Sequence, residues 1–159
     1  MLNWDQFFKE HEKQAYLIAV KYIKNKDDAF DIVQEAMISM YKNYENINQS
    51  EAKPLFYKIL NSKMTDKYRQ LKRLWNLFSS EEIEMEYNCI SEVKKEIDLL
   101  QKELDKLSST QQRVFLLKTV EEMTFKEIAI ALSISESTAK THYSRGLKKI
   151  QENVNHNEN

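Results

Sequence analysis

Met123–Gln151 reads MTFKEIAIALSISESTAKTHYSRGLKKIQ. Two helical patterns are separated there by Ser133-Ile134-Ser135, and the spacing predicts a helix-turn-helix. Thr124 and Glu127 form the T-x-x-E of a capping box, which starts the first helix at Phe125. Phe125, Ile128, Ala131 and Leu132 recur at helical spacing and give that helix a buried face. Ser135 is an N-cap residue type, its hydroxyl able to accept from a free backbone N–H in the next first turn. The second helix has an apolar seam of Ala139, Tyr143, Leu147 and Ile150. At about 100° per residue, its opposite arc holds Ser137, Thr138, Thr141, Ser144, Arg145 and Lys148. Lys140 joins them as a candidate DNA contact. Small hydroxyl residues permit close approach to base edges, and cations reach phosphates. A solvated amphipathic helix carries the same pattern, so the stretch alone leaves both readings open.

Outward from this stretch, composition bounds the fold. The chain has 159 residues with one Gly and one Pro. That poverty of helix breakers, beside abundant Lys, Glu, Leu and Ile, predicts an all-α protein of one domain or two small helical modules. The single cysteine, Cys89, excludes an intrachain disulfide framework and supplies no metal-ligand set. The first residues, MLNWDQFFKE, are acidic and aromatic and do not read as a signal peptide. No apolar run approaches the roughly 20 residues of a membrane span, so direct membrane insertion is not expected and a cytoplasmic location is. Net charge is −1, unlike a general nucleic-acid binder, but the charge is segregated. Lys58–Arg73 holds six basic residues and one acid, Glu81–Asp105 nine acids and three bases, and Thr138–Ile150 four bases and no acid. Nucleic-acid contact is therefore expected at two separate places flanking an acidic middle.

Taken in order, the periodicity predicts a first helix over Trp4–Lys24, with Phe7, Phe8, His11, Ala15, Ile18, Ala19, Tyr22 and Ile23 on its apolar face. A second helix is expected over Asp28–Tyr44, capped by Asp27 or its neighbour, with a seam of Phe30, Val33, Met37, Met40, Tyr41 and Tyr44. Asp31, Glu35, Ile38 and Lys42 then share an outward arc, and Ile32 is read as facing out beside them. Outward apolar residues among ordered carboxylates suit a protein interface, although singly exposed apolar residues are common. The loop Glu45–Lys53 is polar, and Pro54 is placed near the start of a third helix that runs to about Trp75. Phe56, Leu60, Met64, Tyr68, Leu71 and Trp75 form its expected core face. Its opposite arc carries Lys58, Ser62, Thr65, Arg69 and Arg73, flanked by Asn61 and Lys72, with Lys63 and Lys67 nearer the apolar side. Basic residues interleaved with Tyr57 and Tyr68 suit single-stranded nucleic acid, where rings stack on bases, and equally describe a solvated basic face. Asn76–Ser91 reads as a linker. Periodicity resumes through Val93, Ile97, Leu100, Leu104 and Leu107. Ser108-x-x-Gln111 is a further capping box, opening a helix with Val114, Phe115, Leu117 and Val120. The tail after Asn153 is polar and expected to fray.

Together these pieces resemble a bacterial RNA polymerase sigma factor of the extracytoplasmic-function (ECF) type, over about Phe7–Arg73 and Leu104–Glu152. Asp28-Ala29-Phe30-Asp31-Ile32-Val33-Gln34-Glu35 is similar to the D-A-x-D-[ILV]-V-Q-E of family region 2, and Leu55-Phe56-Tyr57-Lys58-Ile59 to its W-L-Y-R-I, with Asp66 at a usual D. Leu107–Phe115, Phe125–Ala129 and Ile134–Lys140 resemble region 4. Departures include Leu55 for Trp, Asn61 and Ser62 for Arg and Asn, Gln70 within the basic run, and Ser133 and Glu122 at common turn glycines. The helix-turn-helix is also similar to the output domains of LuxR/NarL-type regulators. The D-I-V-Q-E block followed by a basic aromatic helix discriminates between the two.

The resemblance implies two modules, residues 1–75 and 93–153, joined by an acidic linker over 76–92, with a tail over 154–159. It implies a non-enzymatic subunit with no cofactor, metal or small-molecule substrate. Its partners would be core RNA polymerase, promoter DNA and an anti-sigma factor. Asp31, Ile32, Gln34, Glu35 and Ile38 would dock on the polymerase clamp. Asn46, Asn48, Tyr57, Lys58, Asn61, Ser62, Thr65, Arg69, Lys72 and Arg73 would take the minus-10 element and hold the separated strand. The arc of the last helix would read the minus-35 element in the major groove. Three rivals stand beside this reading. One is a helix-turn-helix regulator that never enters polymerase. Another is a Mg²⁺-dependent isoprenoid synthase, suggested by Asp27-Asp28-x-x-Asp31 but lacking a second acidic motif. The third is a helical adaptor.

Overall fold

A computed structural model describes residues 1–77 and 101–157, with side chains described through Glu152. Among the described residues the regular structure is all helical: α1 (Trp4–Ile23), α2 (Lys26–Asn43), α3 (Gln49–Leu77), α4 (Ser109–Thr119), α5 (Phe125–Leu132) and α6 (Glu136–Asn157). The chain divides into two compact units, the first built on α1–α3 and the second on α4 and α6. Most of the expected linker, with Cys89, Val93, Ile97 and Leu100, lies outside the described residues.

In the first unit, local chemistry sets the helix ends. Asn3 accepts from the Gln6 N–H at 3.1 Å and starts α1. Lys24 closes α1 in the left-handed region (φ 59°), its N–H donating to Val20 O at 2.7 Å. Asn25 then accepts from the Asp28 N–H at 2.9 Å, so Asn25, rather than Asp27, caps α2. Two residues thus turn the chain back on itself. The core is Phe7, Ala15, Ile18 and Ala19 of α1, Ala29, Ile32, Val33, Ala36 and Met40 of α2, and Ala52, Phe56, Tyr57, Leu60 and Met64 of α3. Phe7 meets Phe56 edge-on at 5.8 Å.

The seam of α2 differs from the expected one. Phe30, Tyr41 and Tyr44 are exposed, and Ile32 is buried at 4% exposure. Ala29, Ile32, Val33, Ala36 and Met40 follow the helical spacing i, i+3, i+4, i+7, i+11, and their small members let α2 approach its neighbours closely. Similarly, Tyr68 and Trp75 are exposed on α3, which continues to Leu77, two residues into the expected linker. Helix α3 begins at Gln49, so the loop before it is shorter than expected and Pro54 lies inside the helix. Pro54 cannot donate, which leaves the Ser50 carbonyl without its usual i+4 partner there.

The second unit carries three N-caps. Ser108 and Gln111 cap α4 reciprocally, at 3.3 and 3.2 Å. Thr124 and Glu127 do the same for α5, at 3.2 and 3.1 Å. Ser135 Oγ accepts from the Thr138 N–H at 3.0 Å and starts α6. Between α5 and α6, Ser133 is left-handed (φ 56°), with Ile134 N donating to Ala129 O at 3.0 Å and Ser133 N to Ile130 O at 3.4 Å. This is the six-to-one and five-to-two pattern of a Schellman stop. Glu122, before α5, is also left-handed (φ 53°). Leu104, Leu107, Val114, Phe115, Leu116, Leu117, Met123, Ile128 and Ala139 are the buried apolar residues of the second unit. Helix α6 continues to Asn157, past the point where a frayed tail was expected.

Candidate nucleic-acid interface

Helix α6 presents Ser137, Thr138, Lys140, Thr141, Ser144, Arg145 and Lys148 to solvent, all seven exposed. Ala139 is fully buried beneath them, and Tyr143 stacks on Phe115 at 6.1 Å and meets Phe125 edge-on at 5.6 Å. The rotational setting of α6 therefore follows from its small and aromatic inner face.

The seven residues are not equally available. Ser135 Oγ donates to Thr138 Oγ1 at 2.7 Å, and Thr141 Oγ1 donates to the Ser137 carbonyl at 3.1 Å. Lys140 lies 3.7 Å from Glu136, one turn back. Ser144, Arg145 and Lys148 have no hydrogen bond or ion pair among the described residues. The N-terminal half of this face is thus held by its own cap and turn bonds, and the C-terminal half offers cations without internal partners. Lys118 supports the arrangement from behind, its ammonium 3.2 Å from Met123 O and 4.7 Å from the Phe125 ring centroid.

A second basic face lies on α3. Lys58, Ser62, Arg69, Lys72 and Arg73 are exposed, whereas Asn61 and Thr65 are half-buried, Thr65 Oγ1 donating to Asn61 O at 2.9 Å. Tyr57, expected as a stacking residue, is 2% exposed and belongs to the core. The exposed rings of α3 are Tyr68 at 43% and Trp75 at 50%, seven residues apart and so on one side of the helix, beside the basic arc. Tyr68 rests on Tyr22 at 5.2 Å. Asn46 and Asn48 are exposed in the loop before α3, with the Asn48 carbonyl accepting from Glu51 N at 3.0 Å.

On α2, Asp31, Glu35 and Ile38 face outward, with Ile38 53% exposed. Ile32 leaves the expected docking set because it is buried in the α2 seam. Gln34 is half-buried and donates to Glu12 of α1 at 3.3 Å. A groove of about 290 Å³ runs between α2 and α3, lined by Asp28, Asp31, Ile32, Glu35, Lys63, Asp66, Lys67 and Gln70. Across it Lys67 pairs with Asp28 at 3.4 Å and Lys63 with Glu35 at 3.9 Å. Helical spacing alone puts these two lysines nearer the apolar arc. In the fold they are the cations that face the α2 carboxylates. The pairing also gives Asp28 an ammonium partner, unlike a carboxylate held open for a metal.

Comparison with known proteins fits this geometry. Residues 7–74 match the family model described as sigma-70 region 2, and residues 97–150 match sigma-70, region 4. The chain is 32% identical over 143 residues to the RNA polymerase sigma factor SigV of Bacillus subtilis, covering 89% of this chain and 85% of that one. It is 21% identical over 162 residues to the ECF RNA polymerase sigma factor SigE of Mycolicibacterium smegmatis, covering 96% of this chain and 62% of that one. In fold it is similar to CnrH, solved with the cytosolic domain of CnrY (TM-score 0.72, 17% identity, 96% and 87% covered). It is also similar to the Bartonella quintana sigma factor RpoE, solved with the anti-sigma factor NepR (TM-score 0.74, 19% identity, 94% and 97% covered). Neither a free-standing helix-turn-helix regulator nor an isoprenoid synthase accounts for both matched regions. The chain belongs to the sigma-70 family of RNA polymerase sigma factors, in its ECF branch, and acts as a transcription initiation factor that joins RNA polymerase and brings it to promoters.

Proposed function

We propose that the chain grips its promoter at two points, one on each unit, and docks on polymerase through the outer arc of α2. The α6 face carries this reading: seven candidate residues of the sequence pattern are all exposed, on a helix whose N-terminus is capped and whose inner face is packed. Ser137, Thr138 and Thr141 are small enough to let α6 sit close to base edges of the minus-35 element, and Arg145 and Lys148 reach its phosphates. On the other unit, Lys58, Arg69, Lys72 and Arg73 hold the separated strand near minus-10, with Asn46, Asn48, Asn61, Ser62 and Thr65 as polar contacts. The stacking platform there consists of Tyr68 and Trp75, since both rings are exposed. Asp31, Gln34, Glu35 and Ile38 form the polymerase-docking arc, where carboxylates pair with partner arginines.

The domain division we propose is residues 1–75 and 93–153, with the acidic segment 76–92 between them in the sequence; the separate packing of α1–α3 and of α4 with α6 supports it. The protein works without catalysis, cofactor or small-molecule substrate, as a binding subunit in the cytoplasm. Among the described residues no helix is long and apolar enough to cross a membrane. An anti-sigma factor is a further partner, supported by the two similar structures, each solved with a bound regulator or regulator domain. Run-off transcription from genomic DNA, with purified core polymerase plus this chain, identifies promoters directly. With such a promoter, Arg145→Ala is expected to weaken holoenzyme binding and lower the salt slope by about 0.9 for the lost phosphate contact. An unchanged affinity and slope would remove α6 as the upstream reader.

A further inference from the structure

We infer that Lys149 is a positioning residue for the recognition helix, a tether that sets the tilt of α6 and is not itself a ligand of DNA; this rests on the reading of α6 as the minus-35 contact. Lys148 and Lys149 are adjacent cations in the sequence and look equivalent there. In the structure they diverge by the 100° that separates neighbours on a helix. Lys148 stands on the open arc without an internal partner among the described residues. The Lys149 ammonium donates to Gln111 Oε1 at 3.1 Å, across 38 residues of sequence.

Gln111 is no ordinary surface amide. It is 7% exposed and is the third helical residue of the α4 capping box, its Oε1 accepting from Ser108 N at 3.2 Å. Both acceptor directions of that carbonyl oxygen are therefore used, one by the cap and one by Lys149. Gly146, one turn earlier on α6, faces the same track, with room for a methyl group and little more. A Cβ there would lie 3.6 Å from Leu107 Cδ1 and 4.0 Å from Gln111 Cβ. One turn further back Tyr143 stacks on Phe115. Leu107, Gln111 and Phe115 thus form the track on which α6 lies, and Lys149 clips it at one end with a charge-assisted bond, stronger than a neutral one.

Leverage makes the clip matter for recognition. Ser137 lies twelve residues from Lys149, roughly 18 Å along the axis at 1.5 Å per residue. With the clip lost, α6 pivots on its remaining contact at Tyr143, six residues or roughly 9 Å from Ser137, so a tilt of about 5° would move Ser137 by roughly 0.8 Å, enough to break base-edge hydrogen bonds whose length tolerance is a few tenths of an ångström.

The test compares Lys149→Met with Lys148→Met in holoenzyme, on a duplex taken from the upstream part of a promoter identified by run-off transcription. Met keeps the stem and helix propensity of Lys. Lys149→Met is expected to weaken binding roughly 3- to 10-fold with the slope of log affinity against log salt unchanged. Lys148→Met is expected to lower that slope by about 0.9. Thermal unfolding supplies an independent readout: Gln111→Glu keeps the capping box and makes the tether an ion pair. It should raise Tm with Lys149 present and not in a Lys149→Met background. The proposal is overturned if Lys149→Met lowers the salt slope as Lys148→Met does, which makes Lys149 a phosphate ligand. It is overturned equally if Lys149→Met leaves affinity at the wild-type value, or if the Gln111→Glu effect on Tm is independent of Lys149. Should Arg145→Ala and Lys148→Met also leave binding untouched, α6 is not the reader and the proposal falls with that reading.

Discussion

Replacing the protein's one glycine, Gly146, by alanine and its left-handed serine, Ser133, by glycine should each make the helix-turn-helix more stable. Gly146 lies inside α6, where a glycine costs about 0.5–1 kcal/mol relative to alanine. The Cβ of Gly146→Ala would meet its nearest neighbours at 3.6, 3.8 and 4.0 Å, ordinary van der Waals contact, so the helix gains without a clash. Ser133 has the opposite problem. At φ 56° its Cβ crowds the backbone, at a cost of about 1–2 kcal/mol for an L-residue, from which glycine's extra unfolded-state entropy of about 0.5–1 kcal/mol must be subtracted. Ser133→Gly is therefore worth about 0.5–1 kcal/mol net. Its backbone bonds to Ile130 and Ala129 do not involve the hydroxyl and survive the change. The two sites share no side-chain contact, so the effects should add to about 1–2 kcal/mol. At roughly 4–8 °C per kcal/mol for a unit of this size, the double variant should unfold roughly 5–15 °C higher in a calorimetric scan of the full chain. Run-off transcription should be retained, because neither residue is on the open face of α6. A Ser133→Gly variant less stable than wild type would refute the left-handed turn. A destabilised Gly146→Ala would refute the spacing between α4 and α6.

The first unit gives three further expectations. Arg69→Ala with Arg73→Ala should reduce permanganate-reactive promoter opening and lower its salt slope by about 1.4, two single-strand phosphate contacts; normal opening would return the α3 arc to plain solvated surface. Asp31→Ala with Glu35→Ala should weaken binding to core polymerase by roughly 3- to 30-fold, as expected for two exposed charge pairs, and wild-type affinity in a pull-down titration would sink the docking assignment. Tyr57→Ala should destabilise by about 3–5 kcal/mol, the cost of emptying a buried aromatic site, whereas Trp75→Ala should unfold normally in urea and open promoters poorly. The reverse pattern would restore Tyr57 as the stacking residue.

Which features could be read from the sequence depended on whether a backbone or a packing rule governed them. Capping is local, and the boxes Ser108/Gln111 and Thr124/Glu127 and the cap Ser135 all formed where their spacing placed them. The α6 arc was legible for a related reason, since Ala139 and Tyr143 left only one way for the helix to turn. On helix α2 the large side chains suggest a seam that the packing does not use. A close helix approach selects small residues, and Ala29 and Ala36, both fully buried, mark the centre better than Phe30 or Tyr41. That rotation carried Ile32 inward. On α3 the periodicity predicts Tyr68 and Trp75 inside and Tyr57 outside, and the fold does the reverse. The pairing of Lys149 with Gln111 is out of reach of the sequence, because a bond across 38 residues has no local signature.

The charge pattern also takes on a different meaning once the helices are placed. Counted along the chain, acids and bases fall into separate blocks. In space, the cations of α3 after Lys53 split into two sets. Lys58, Arg69, Lys72 and Arg73 stand exposed, while Lys63 and Lys67 turn toward the carboxylates of α2. The proposed docking surface is therefore partly neutralised from within, and half-exposed pairs of this kind are weak enough for a partner's arginine to displace them. Asp31, without an ion pair among the described residues, gives such a partner its first foothold. A lysine displaced from Glu35 or Asp28 remains on the helix proposed to hold the separated strand. Under the proposed assignments, polymerase docking on α2 would thereby leave positive charge on α3 uncompensated, and the chain would be a better ligand for DNA after joining polymerase than before.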